Sequence, residues 1–128
     1  MTTSYPSNSK VGTFRIRDCV LVTVNNEIDD SSVLEMESNL TEEIVRLPTR
    51  GVVIDISQLD IVDTFTGRML GALAKMSRIL DARTVVVGMR PAVAITLVEL
   101  GMNLNDLETA LNVDHAMRRI EEASAEGP

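Results

Sequence analysis

The stretch GVVIDIS, residues 51–57, decides the fold expected for this chain. It is a continuous apolar run interrupted only by Asp55, and such a run predicts a central strand that is buried on both faces. A second run, TVVVG at 84–88, predicts another buried strand. Between the two strands, residues 64–80 place apolar side chains at helical spacing. Buried strands that alternate with helices indicate an α/β architecture.

The segment before this central strand predicts two more strands and a helix. Residues 13–17 alternate apolar and polar side chains, and residues 20–24 (VLVTV) are a short β-branched run. Ser32 begins a capping-box pattern, so we expect a helix over 31–47. Pro48 ends that helix, because the residue before a proline is pushed out of the helical region.

The segment after the second buried strand predicts two further helices. Pro91 fits the first position of a helix, and Gly101 fits the position just past its end. Residues 104–111 leave room for a short edge strand, and 114–123 form a last amphipathic pattern. We therefore expect one domain with a mixed sheet and helices packed on its faces. Its predicted limits are a flexible tail at 1–12, a folded domain at 13–124 and a frayed end at 125–128.

Composition excludes several classes of function. The chain has 128 residues, with 12 basic and 19 acidic side chains and a net charge of −7, so bulk electrostatics do not favour nucleic acid or anionic membranes. Cys19 and His115 are single residues of their kinds, which excludes an internal disulfide and nearly excludes histidine-based catalysis and His/Cys metal sites. The N-terminus is polar, and no apolar run approaches the ~18 residues of a membrane span. We expect a cytoplasmic protein.

The loop from the central strand to the second helix carries the candidate site. Thr64 lies at or beside the N-cap of that helix, at the sheet edge where sites collect in α/β folds. A hydroxyl group there is exposed, and the positive helix end accommodates a phosphate, so Thr64 is a candidate phosphoacceptor. An ordinary cap is the commoner role for such a residue. Asp60 and Asp63 flank Thr64, either as an acidic patch that a partner recognises or as a solvated turn.

Two apolar segments are candidate partner surfaces. Gly67 and Gly71 lie four residues apart on one helical face and would let a neighbouring backbone approach closely. The third helix, residues 92–100, is apolar nearly all round, so it is either deeply buried or presents a face to a partner. The candidate contacts on this helix are Ala92, Val93 and Thr96.

A receiver-like domain phosphorylated on Asp55 is a further hypothesis. Acidic residues at Asp29 and Asp30, together with the Arg90–Pro91 pair, are loosely similar to a response-regulator receiver. Asp55 is followed by Ile56, however, so it lies inside the predicted strand and not at its end.

Three stretches together carry a family resemblance: GVVIDIS at 51–57, DIVDTFTGRML at 60–70 and VVVGMRPAVAITLVELG at 85–101. They resemble the STAS domain of anti-sigma-factor antagonists, and within that family the small stand-alone RsbS type of the bacterial stressosome. The resemblance covers about residues 13–123. It implies a single STAS domain, with a mixed sheet of four to five strands and helices packed mainly on one face.

The resemblance also implies a function. Proteins of this type are non-catalytic scaffolds that sequester an RsbT-type kinase, and the kinase phosphorylates the hydroxyl residue at the start of the second helix, here Thr64. The implied partners are RsbR-type STAS paralogues in a large hetero-oligomer and an RsbX-type phosphatase. No cofactor is implied for the chain itself, since ATP and Mg²⁺ belong to the kinase. The alternative is a simple anti-anti-sigma factor that binds an anti-sigma kinase one-to-one.

Overall fold

The central feature of the fold is one mixed five-stranded sheet in the order β1-β2-β3-β4-β5. The structure is a computed structural model and describes residues 11–26, 29–60, 62–102 and 107–125. The strands are β1 Val11–Ile16, β2 Cys19–Asn25, β3 Gly51–Gln58, β4 Arg83–Val87 and β5 Glu108–Ala110. The helices are α1 Asp30–Arg46, α2 Thr64–Ile79, α3 Pro91–Glu99 and α4 Val113–Ala125. β1 is antiparallel to β2, and the other neighbouring strands are parallel.

The two faces of the sheet are covered unequally. Alternate residues of β3 point to opposite faces, and both sets are buried because helices lie on both sides. The larger core joins the sheet to α1, α2 and α3, with Met36, Leu40, Leu73 and Leu97 among its fully buried side chains. The smaller core joins the opposite face to α4 through Ala116, Met117 and Ile120. The expected α/β sheet with helices mainly on one face is confirmed.

The observed start of α1 corrects one prediction. The N-cap is Asp29, whose carboxylate accepts hydrogen bonds from the Ser32 amide at 2.9 Å and the Ser31 hydroxyl at 3.0 Å. Ser32 was expected to begin a capping box, but it lies within the first turn and is buried. Asp and Ser are both strong caps, so when several occur in succession the pattern alone does not choose between them.

The predicted limits of the domain also need adjustment. Val11 and Gly12 pair with β2 and so belong to the sheet, although the tail was expected to extend to residue 12. The rest of that predicted tail, residues 1–10, lies outside the described residues, as do 126–128 at the other end. The predicted edge strand within 104–111 is present as β5, which is three residues long. In the ranges that the structure describes, no helix is long and apolar enough to cross a membrane.

Two glycines after buried elements adopt the left-handed backbone conformation. Gly101, with φ 93°, follows α3 as predicted, and its amide donates to the Val98 carbonyl at 3.0 Å. Gly88, with φ 76°, follows β4 and lies against the end of β3. A Cβ atom at Gly88 would be 2.6 Å from the Ser57 Cβ and 2.9 Å from the Ser57 backbone nitrogen. Position 88 therefore excludes a side chain both by conformation and by space.

We expect Gly88→Ala to destabilise the fold by about 2–4 kcal/mol, because it combines a left-handed non-glycine residue with overpacking against backbone. Gly101→Ala is the matched control. A Cβ atom at position 101 has no heavy atom within 4 Å, so the stability of this variant falls only by the conformational penalty of about 1 kcal/mol. Urea unfolding of the two variants measures the difference. Equal losses of stability would show that the contact with Ser57 has no energetic weight.

Candidate functional site

The loop from β3 to α2 presents Thr64 at the surface. Leu59 anchors this loop, since its side chain is fully buried and its amide donates to the Ile56 carbonyl at 2.9 Å. Thr64 is the first residue of α2 and is exposed. Among the described residues, none forms a hydrogen bond with its hydroxyl group. The predicted position at or beside the N-cap is therefore refined to the residue directly after the cap.

Asp63 is the N-cap of α2. One of its carboxylate oxygens accepts hydrogen bonds from the Thr66 amide at 2.9 Å and from the Thr66 hydroxyl at 3.0 Å. These bonds favour the ionised form and hold the pKa of the Asp63 carboxyl below its ordinary value. Because Asp63 accepts a hydrogen bond from the Thr66 amide and so caps the helix, the Thr64 hydroxyl is not needed as a cap.

Asp60 fastens the same loop to the end of β2. Its carboxylate accepts a hydrogen bond from the Asn26 side-chain amide, and its backbone amide donates to the Asn26 side-chain oxygen at 3.3 Å. Ile61, the next residue, lies outside the described residues. Both predicted acidic residues are exposed. Each also has a structural role, since Asp60 links the loop to Asn26 and Asp63 caps α2.

The start of α3 is attached to the end of β3 by Arg90. Its guanidinium group donates to the Ser57 carbonyl at 3.0 Å, beside the close approach of Gly88 to the same residue. In the sequence, Arg90 stood out only through the loose similarity to a receiver, and this contact was not predicted. The contact fixes the position of α3 beside α2.

The α2–α3 groove lies between α2 and the end of α3 and has a volume of about 620 Å³. It is lined by Thr64, Gly67, Arg68, Gly71, Ala72, Lys75, Leu100, Gly101 and Met102. The two predicted glycines form part of this groove. Cβ atoms built at Gly67 and Gly71 would lie 3.5 Å from Leu97 and 3.6 Å from Met102, both side-chain contacts of ordinary length. The close backbone approach expected at these glycines is absent from the described part of the chain, where side chains of α3 and of the turn after it lie over them.

The structure divides the residues of α3 between core and surface. Val93 was expected as a partner contact, but it is only 2% exposed and packs in the larger core, so that prediction is wrong. Ala92 is exposed, and Thr96 is half-buried with its hydroxyl donating to the Ala92 carbonyl at 3.0 Å. Ile95 and Val98 are 61% and 55% exposed. The helix is therefore both buried and exposed, on different faces.

The receiver hypothesis gains no support from the geometry. Asp55 lies inside β3, where its carboxylate accepts a hydrogen bond from the Ser57 amide at 2.9 Å. The strand order β1-β2-β3-β4-β5 also differs from the 2-1-3-4-5 order of receiver-like folds.

Over the described ranges, no group of three or more His, Cys, Asp or Glu side chains could hold a metal ion. Burial raises the pKa of the Cys19 thiol.

Arg68 and Lys75 line the candidate site but were not among the residues predicted from the sequence. Both are exposed and line the α2–α3 groove with Thr64. The signal that could have found them was their spacing from Thr64, because residues four and eleven positions further along a helix lie on the same face.

The fold and the site define this chain as an α/β domain with an exposed hydroxyl group at a helix start. A family model described as the STAS domain matches residues 13–116, and the chain belongs to that family. RsbT co-antagonist protein RsbRA of Bacillus subtilis (strain 168) is 29% identical over 82 residues, which cover 64% of this chain and 30% of that protein. The chain spans about a third of the length of the RsbR-type relatives that it matches.

Two solved structures resemble the chain over most of its length. One is a Moorella thermoacetica RsbS variant with serine replaced by glutamate, at a TM-score of 0.80 and 32% identity, covering 88% of this chain and 97% of that one. The other comes from a study of the molecular architecture of the stressosome, with the same TM-score and identity, covering 88% and 98%. The chain thus has a STAS fold close to the RsbS and RsbR stressosome proteins, as the sequence resemblance indicated.

We expect Asp63→Ala to destabilise the protein by about 1 kcal/mol, because the Thr66 amide at the start of α2 loses its acceptor. Asp63→Asn keeps an acceptor and should lose less. The folded-state pKa of Asp63 is lowered, so its charge contributes stability above the ordinary value of 3.8, and this contribution is lost as the pH falls through the lowered pKa. Urea unfolding at pH 7 and at successively lower pH measures both effects. The native protein and Asp63→Asn should converge in unfolding free energy in strong acid, where Asp63 is protonated. A difference in unfolding free energy that persists there would contradict this account.

Proposed function

We propose that this chain is a non-catalytic regulatory scaffold of a stressosome-type assembly. In this proposal it sequesters an RsbT-type kinase and releases it when Thr64 is phosphorylated, which controls a general stress response. The relationship to RsbS and RsbR proteins supports the class of function. The observation that carries the proposal is that Thr64 is exposed at the start of α2 while Asp63 performs the capping.

Thr64 is suited to act as a switch because its modification leaves the fold intact. The hydroxyl has no partner among the described residues, so adding a phosphate breaks no hydrogen bond there. The phosphate brings about −1.5 to −2 charges to the N-terminus of α2, where the helix dipole stabilises an anion. Arg68, one turn further along α2, can reach the phosphate. The modified protein should therefore stay folded.

Release of the kinase would follow from the local charge. Asp60 and Asp63 already make the loop acidic, and the phosphate adds to this charge at the surface that contains Thr64. A kinase surface that fits the neutral hydroxyl group and the two carboxylates would have to accommodate up to two more negative charges. Like-charge repulsion and lost contacts would then weaken the complex.

The proposal assigns the remaining chemistry to partners. ATP and Mg²⁺ belong to the kinase, an RsbX-type phosphatase removes the phosphate, and RsbR-type STAS paralogues complete the hetero-oligomer. The resemblance to RsbR-type relatives supports co-assembly with such paralogues. A simple anti-anti-sigma factor would use the same hydroxyl group, but it would form a one-to-one complex.

We expect the native chain to gain one phosphate, about 80 Da, when it is incubated with an RsbT-type kinase, ATP and Mg²⁺. Thr64→Ala should gain nothing, and Thr64→Ser should gain one phosphate because it keeps the hydroxyl group. Intact-mass spectrometry reads all three proteins. Thr66 provides an internal comparison, since its hydroxyl is buried and bonded to Asp63 and should stay unmodified. Phosphate on Thr64→Ala would reject Thr64 as the acceptor.

We also expect Thr64→Glu to weaken kinase binding at least about tenfold, because it places a permanent charge at the switch position. Thr64→Gln is the matched control, with nearly the same size and no charge, and it should bind close to the native protein. Isothermal titration calorimetry gives the affinities, and sedimentation of the complete mixture distinguishes a large assembly from a one-to-one complex. Equal affinities for the Glu and Gln variants would remove charge as the release mechanism.

A further inference from the structure

The exposed face of α1 combines apolar and acidic side chains. Leu34 and Val45 are 68% and 71% exposed, although both are large apolar residues. They lie eleven residues apart, which is three helical turns, and therefore share one side of the helix. Glu35 and Glu42 are exposed beside them. With their side chains these two glutamates form no ion pair or hydrogen bond to any described residue, so the face is charged and unneutralised.

The α2–α3 groove is apolar and positively charged, and so complements the apolar and acidic face of α1. Its floor is made of small and apolar residues, and Arg68 and Lys75 stand along its edge. Both cations are exposed, and their side chains bond to none of the residues that the structure describes. Two unneutralised cations beside an apolar floor match a partner helix that carries two acids beside an apolar stripe.

The spacing of the charges is the same on both surfaces. Glu35 and Glu42 are seven residues apart, and so are Arg68 and Lys75. Seven residues of helix rise about 10.5 Å, so two acids on one helix can face two cations on another at once. Between the cations, Gly71 and Ala72 keep the groove shallow enough for a helix to approach.

We propose that α1 of one copy of this chain docks into the α2–α3 groove of a second copy. Glu35 and Glu42 then pair with Arg68 and Lys75, and Leu34 and Val45 cover the apolar floor and the exposed end of α3. The two surfaces are different, so the contact is heterologous: one copy keeps its groove free and the other keeps its α1 face free for further copies. The inference deepens the proposed scaffold role by naming the surfaces that join its units.

The test uses charge reversal on each surface separately. In one variant Glu35→Lys and Glu42→Lys reverse the α1 face, and in the other Arg68→Glu and Lys75→Glu reverse the groove. Each variant alone should self-associate at least about tenfold more weakly than the native chain, because its own two surfaces now repel. An equal mixture of the two variants should recover association, since each reversed surface meets its complement on the other variant.

Sedimentation equilibrium over about 10 μM to about 1 mM measures association, and added salt should weaken that of the native chain. Asp114→Lys with Glu122→Lys on α4 is the matched control for the α1 variant, since it makes the same change in net charge away from both surfaces. Glu35→Gln with Glu42→Gln is a milder variant, expected between native and reversed. Circular dichroism confirms that each variant is folded.

Three results would overturn the proposal: a native chain that is monomeric throughout this range, reversed variants that associate like native protein, or a mixture that stays dissociated. No kinase is present in these measurements. Failure here is therefore separate from failure of Thr64 to accept phosphate.

Discussion

The close contact between Gly88 and Ser57 is the constraint on which the geometry of the site depends. It joins the carboxyl ends of two neighbouring parallel strands at a distance that only glycine permits. Because only Met89 and Arg90 lie between Gly88 and the start of α3, this contact limits where α3 begins, and the bond from Arg90 to the Ser57 carbonyl holds it there. The same strand end leads into the loop before α2. The two helices that form the groove are therefore positioned by a single strand end.

Much of the fold was predictable because its strands are short apolar runs and its helices have clear apolar stripes. The order of elements, the buried central strand and the end of α3 at Gly101 followed from such local patterns. The distribution of the helices between the two faces of the sheet did not follow from the residues alone. A stripe tells which side of a helix is buried but not which side of the sheet it meets, so the unequal layers came from the family resemblance.

The position of Thr64 at the start of α2 was predictable from the sequence, but the contacts around it were not. The cap assignment at α1 was wrong and the one at α2 was ambiguous, because Asp, Ser and Thr compete for the same amides and only the observed hydrogen bonds select among them. Val93 was misplaced because an apolar helix such as α3 gives no amphipathic signal for its buried side. Arg68 and Lys75 were overlooked because solvated cations on a helix are common, and they gain meaning only from the groove that α3 completes.

The proposed phosphorylation site at Thr64 and the proposed docking groove share one helix face, which would couple the two proposals. Thr64 and Arg68 both line the groove and lie one turn apart. A phosphate on Thr64 would draw the Arg68 guanidinium group toward itself by a charge-assisted hydrogen bond, and the same cation could not then fully neutralise a glutamate of a neighbouring copy. The phosphate would also face that glutamate directly. Modification at the helix start would thus reduce kinase affinity and loosen contacts between copies through one change in charge, without any rearrangement of the sheet.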